Sequence, residues 1–192
     1  YTTEKTIEEI LKKKSLGSID RELFNTINKN SDILIGDLIV SPFGISHDAA
    51  DPVAYTVKHA EDLSKKIGVV TDLGEYNESQ IEILQNCGIL LAESNHDRKM
   101  LEVGPYPYET KRRIMSKYGH LSNDDCSDFV NHLLHGNMKT LLLGHLSKNN
   151  NYELLAYETV RHGIDSGEHE YRANDFDIRV ANSDKPSDII VI

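Results

Sequence analysis

Apolar positions along the chain fall into two periods, and the switches between them outline the elements. Residues 2–14 (TTEKTIEEILKKK) carry Ile7, Ile10 and Leu11 at helical spacing, with Thr2 or Thr3 as cap, acids early and lysines late, which predicts a helix. Residues 33–46 (ILIGDLIVSPFGIS) predict a strand pair or one bent strand, with Gly36-Asp37 as the turn. Strands are expected at 53–58, with Ala54, Thr56 and Lys58 on one face, and at 66–71. A helix from near Asn77 to Gly88 would turn Ile81, Leu84 and Cys87 inward, and GILLAE (88–93) follows as a strand.

Residues 107–118 predict a basic helix. Ser122 then caps a helix in which Cys126, Phe129, Val130, Leu133 and Leu134 keep helical spacing up to Gly136. A strand at 139–144, a helix at 151–163 and strands near 171–181 and 187–192 complete the expectation. Strands alternating with helices predict a layered α/β domain, and no repeat, linker or low-complexity tract divides it.

Composition narrows the class. Of 192 residues, 39% are hydrophobic and 27% charged, the balance of a globular chain, and no apolar run is long enough to span a bilayer. Cys87 and Cys126 sit on predicted apolar helix faces at a spacing unlike zinc fingers, so buried free thiols in a reducing, cytoplasmic setting are expected. The net charge of −10 argues against a broad nucleic-acid face but leaves room for a local one. The chain starts at Tyr1 with neither Met nor a signal-like stretch, so a preceding segment is expected.

Three apolar strands run into chemically capable residues: His47-Asp48, Asp72 and His145. A fourth runs into Glu93-Ser94-Asn95-His96-Asp97. Loops beyond the carboxyl ends of strands are where α/β sheets gather ligands. If these ends share one sheet edge, two imidazoles and a carboxylate meet, a set suited to Zn²⁺ or Mn²⁺. Each residue is equally readable as a turn or cap, as Asp72 in T-D-L-G illustrates. One His, one Asp and one His are also too few for two metals, and the chain has neither a His-x-His pair nor H-E-x-x-H.

The ordered set SHDAADP (46–52), VTDLG (70–74), ESNHDRKML (93–101), YPYETKRRI (106–114), GHLSN (119–123) and GHLSKNN (144–150) resembles the metallo-β-lactamase superfamily, in its YycJ/WalJ (VicX) branch. The resemblance runs from about residue 31 to 160. It implies an αββα sandwich with a dinuclear metal site, here lacking its N-terminal portion, so that 1–192 is the C-terminal part of one domain. By this resemblance His47, Asp72 and His145 match metal ligands, Asp72 as the carboxylate bridging both metals. His120 matches a histidine beside the scissile phosphate, and Glu93 an acid that orients it. The family's His-x-His-x-Asp-His segment is absent.

The implied chemistry is metal-assisted phosphodiester hydrolysis of DNA, with RNA as the other nucleic-acid substrate, by a 5′-to-3′ exonuclease. Lys111, Arg112, Arg113 and Lys148 are candidates to contact phosphate, with Lys117 on the same basic segment, and His96 and Asp97 to orient ligands from a second shell. Solvated helix and loop faces are the plainer readings. A small-molecule metallohydrolase or a regulatory module linked to two-component signalling are the alternatives. The chain alone is expected to bind metal weakly or not at all, to be inactive, and to pair its bare sheet face in a homodimer or swapped assembly.

Overall fold

The computed structural model describes residues 1–192. A two-residue strand β1 (Thr2–Thr3) leads into α1 (Glu4–Lys12) and pairs in parallel with β2 (Thr26–Ile27). Helix α1 therefore starts two residues later than the sequence pattern suggests. Its Thr3 hydroxyl turns away from the helix end, to Thr6 Oγ1 and the Asp51 carbonyl.

Seven strands form the main sheet: β3 (Ile33–Ile35), β4 (Leu38–Gly44), β5 (Val53–His59), β6 (Asp62–Val70), β7 (Ile89–Glu93), β8 (Thr140–Gly144) and β9 (Asp177–Val180). They lie in sequence order, antiparallel from β3 to β6 and parallel from β6 to β9. Gly36-Asp37 is the two-residue turn between β3 and β4, with Gly36 at φ 62° as such a hairpin requires.

The parallel half needs crossovers, and helices supply them. Helix α2 (Glu78–Leu84) joins β6 to β7; α3 (Arg98–Val103), α4 (Tyr108–Ile114) and α5 (Asn123–Asn131) join β7 to β8; α6 (Glu153–Ser166) joins β8 to β9. Asn77 and Ser122 each build a capping box. Helix α2 stops at Leu84, short of Gly88, because Asn86 takes a left-handed φ of 62°. The basic helix is likewise confined to 108–114, and 187–192 forms no strand. Helix α3 escaped the sequence pattern because its six residues are too short to show a period.

One face of the sheet is closed. Ala54, Val70, Leu90, Ala92, Leu141 and Leu143 pack under α2, α5 and α6 in the main core, which also takes in both cysteines as free, buried thiols. Burial pushes the Cys87 thiol up to about 11, so it stays protonated. The other face carries Tyr55, Val69, Leu91 and Leu142 in register, together with Val57 and Ile67, all only partly buried. No helix is long and apolar enough to cross a membrane.

Leu141 is fully buried in this core. Its replacement by Ala is expected to cost about 2–5 kcal/mol in urea unfolding, and Leu142→Ala, on the open face, clearly less.

Candidate metal centre

The site follows from strand order. β6, β7 and β8 are parallel neighbours, so the residues beyond their carboxyl ends share one sheet edge. Asp72 stands just past β6, Glu93 ends β7 and His145 directly follows β8. Asp72 and His145 both hold left-handed backbones, φ 57° and 58°, a conformation unusual for these residues and concentrated at functional sites. His47 arrives on the loop after β4, and His120 on the turn after α4.

That turn is seated tightly. A Cβ on Gly74 would lie 2.3 Å from the Lys117 carbonyl oxygen, and one on Gly119 2.1 Å from that of Ile114, so both positions need glycine. The Gly74 amide donates to the Ser46 carbonyl at 2.8 Å, and the Ser46 hydroxyl to the Lys117 carbonyl at 2.6 Å. Three loops are thereby laced together around Asp72.

Glu93 lies at the bottom, fully buried. Its Oε1 accepts Nδ1–H of His120 at 2.7 Å and Nδ1–H of His145 at 2.6 Å, and its Oε2 accepts the Leu73 amide at 2.7 Å. Burial alone would raise this carboxyl's pKa; the bonds from His120 and His145 outweigh it and hold the group below the ordinary range. The same bond raises the pKa of His145.

These bonds also settle which nitrogen each ring offers. With Nδ1 donating to Glu93, His145 turns Nε2 toward Asp72 Oδ1, 3.6 Å away. His47 donates Nδ1–H to the Gly119 carbonyl at 3.0 Å and sets Nε2 3.7 Å from Asp72 Oδ1. Two lone pairs and a carboxylate thus converge, with the second nitrogen of each ring tied down as metal-binding histidines require. Asp72, Glu93, His120 and His145 also have potential ligand atoms within 4.8 Å of one another. Glu93, however, has both oxygens engaged, so we favour His47, Asp72 and His145 as the donor set. It fits one divalent cation, and a second would need ligands this sequence lacks.

Other expected site residues are placed differently. Arg113 is bound through two nitrogens to Asp48, Lys111 donates to the Glu102 carbonyl at 2.7 Å, and Arg112 lies 3.9 Å from Glu109. Lys148 is exposed on the loop after β8. Asp97 caps α3 through the Met100 amide, and His96 is buried; no hydrogen bond joins either to His47, Asp72 or His145. A cavity of about 870 Å³ opens between His120 and His96.

A buried amide network went unnoticed in the sequence. Asn151 Nδ2 donates to the carbonyls of Ser94 and Asn95 and to Asn123 Oδ1 at 2.8–3.0 Å, and Ser94 Oγ donates to Asn123 Oδ1 at 2.7 Å. It binds the loops after β7 and β8 to the start of α5. Asn123 and Asn151 sit in polar runs that read as solvated loop, and only their shared contacts reveal them.

No protein-family model matches the chain. The exodeoxyribonuclease WalJ of Streptococcus pneumoniae (serotype 2, strain D39) is 34% identical over 160 residues, 83% of this chain and 58% of that protein. The exodeoxyribonuclease YycJ of Bacillus anthracis is 36% identical over 125 residues, 65% and 46% of the two chains. Among solved structures, the metallo-β-lactamase-fold protein YhfI of Bacillus subtilis superposes with a TM-score of 0.53 at 14% identity, over 83% of this chain and 52% of that one. The chain shares the fold of that metallo-β-lactamase-fold protein. Its sequence relatives are the WalJ and YycJ proteins, of whose length it spans roughly half.

His96 gives a sharp pH signature. Burial pushes its imidazole from the ordinary 6.5 down to about 4. Between those values the unfolded chain binds a proton that the folded chain refuses, so stability is complete above about 6.5 and falls as the pH drops toward 4. Urea unfolding at pH 7 and pH 4 is expected to show a loss of up to about 3 kcal/mol that His96→Gln removes. The His96 ring protons, followed by NMR, should titrate near 4.

Proposed function

We propose that the complete protein is a metal-dependent phosphodiester hydrolase, a 5′-to-3′ DNA exonuclease, and that this chain is the C-terminal part of its αββα domain. The observation that carries the proposal is the buried Glu93 carboxylate, which holds His120 and His145 at once and sets His145 Nε2, with His47 Nε2, against Asp72. The exodeoxyribonuclease relatives at 34% and 36% identity support the substrate class.

His47, Asp72 and His145 would hold a divalent cation, Zn²⁺ or Mn²⁺ by the chemistry of nitrogen and carboxylate donors. Such an ion supplies Lewis-acid polarisation of a phosphoryl oxygen and a lowered pKa for water. A two-metal centre would take its remaining ligands from outside this sequence. His120 keeps Nδ1 on Glu93 and leaves Nε2 free. It can therefore give a proton to the departing oxygen from Nε2 and recover the proton afterwards. The partly buried apolar face with Tyr55, Val69, Leu91 and Leu142 is where the second sheet of the sandwich belongs.

Two tests follow. On 5′-labelled duplex DNA with Mn²⁺, the complete gene product should release nucleotides processively. Asp72→Ala should abolish this, and His120→Ala should slow it by about 10²- to 10⁴-fold. No hydrolysis of DNA or RNA with metal present would overturn the proposal. The 192-residue chain alone should self-associate through its open face in sedimentation, and Leu91→Glu should disperse it. A monomer at high concentration would count against that assignment.

A further inference from the structure

The cavity beside His120 has the makings of a binding pocket separate from the ligand cluster. Its volume, about 870 Å³, is that of a site for a small organic molecule. Tyr76 and Tyr108 line it, and the Tyr76 ring is braced by Phe129 at a centroid distance of 4.9 Å. Of its cationic side chains, Arg98 is bound to Asp125 and Lys111 to the Glu102 carbonyl, and Glu75 and Glu102 add carboxylates to the rim. Lys117 has no ion pair; its Nζ lies 5.0 Å from the Tyr118 ring centroid.

His96 is the unusual member of the lining. It is only 2% exposed, and its Nδ1 is buried without any hydrogen-bond partner. A proton on Nδ1 would bury an orphaned donor, which proteins tolerate less well than an unpaired acceptor. The proton therefore belongs on Nε2, the nitrogen left for the cavity side. Nothing in the protein accepts from it, and unlike Nδ1 it is not fully buried. A neutral donor, a free ammonium and aromatic walls within one cavity are the complement of a nucleoside phosphate: base faces stack on aromatic rings largely regardless of sequence, and base edges carry acceptors.

We propose that this cavity seats one unpaired nucleotide of the strand being cut, its base against the tyrosine wall and hydrogen-bonded by His96, its phosphate met by Lys117. The proposal rests on the phosphodiesterase reading of the neighbouring site. It makes His96 a substrate-binding residue rather than one that orients metal ligands, and it defines the substrate as a strand end opened out of its duplex.

The test is an NMR and calorimetric titration of the complete gene product, histidine-labelled and metal-free in EDTA, with dTMP, dAMP and thymidine. Saturable shifts of the His96 ring with both nucleotides are expected. His96→Gln should weaken binding about three- to tenfold, the worth of one hydrogen bond. Lys117→Gln, at an exposed position that leaves the fold intact, should weaken dTMP but not thymidine. Absence of saturable binding, or a folded His96→Gln protein that binds as tightly as the parent, overturns the proposal. If His96→Gln does not fold, an unchanged dTMP affinity in Lys117→Gln overturns it instead. Nucleotide binding without DNA hydrolysis in Mn²⁺ would support the pocket and sink the nuclease; hydrolysis without any His96 response would do the reverse.

Discussion

The buried carboxylate of Glu93 is the constraint from which the site's geometry follows. A carboxylate fully withdrawn from water is costly unless it is well hydrogen-bonded. Here two imidazole N–H groups and one backbone amide donate to it, with both oxygens engaged. Satisfying the acid fixes the tautomer and ring orientation of both histidines, so the requirement to bury a charge safely also prepares the groups that do chemistry. One residue at the end of one strand thereby controls side chains from loops that are 27 and 52 positions further along the chain.

Around that centre the scaffold is rigid where it must be. Asn123 and Asn151 knit the loops after β7 and β8 to the start of α5 through buried side-chain hydrogen bonds. Gly74 and Gly119 let two backbones approach within a distance no side chain would permit. Left-handed Asp72 and His145 bring their side chains together from positions two and one past the ends of their strands. Such backbones are costly singly and persist because neighbouring elements over-determine them.

Much of this was legible in the sequence, for physical reasons. Apolar runs such as GILLAE and KTLLLG mark buried parallel strands, and the residues just past them must lie on one edge if the strands are neighbours. That argument brought His47, Asp72, Glu93 and His145 to one place. Ser122 and Asn77 announced their helices through capping chemistry that is local by nature. What stayed hidden depends on partners distant in sequence. Arg113 looks free for phosphate until Asp48, 65 positions away, claims it. His96 looks like a neighbour of the ligands because it follows Glu93 closely, yet the loop turns it into a separate cavity. The expected strand at 187–192 had β-type residues but no neighbouring strand to accept its hydrogen bonds.

The change of strand direction at β6 has a kinetic side. Strands β3 to β6 follow one another through connections within the antiparallel half, so their contacts are local and quick to close. β7 and β8 must wait for helical crossovers, and the loop closure that brings His145 to Glu93 spans 52 positions. The donors His47 and Asp72 thus belong to the half of the sheet with the more local pairings, and His145 to the half reached through helical crossovers. A complete donor set therefore reports that the antiparallel half and the β6–β8 crossovers have come together.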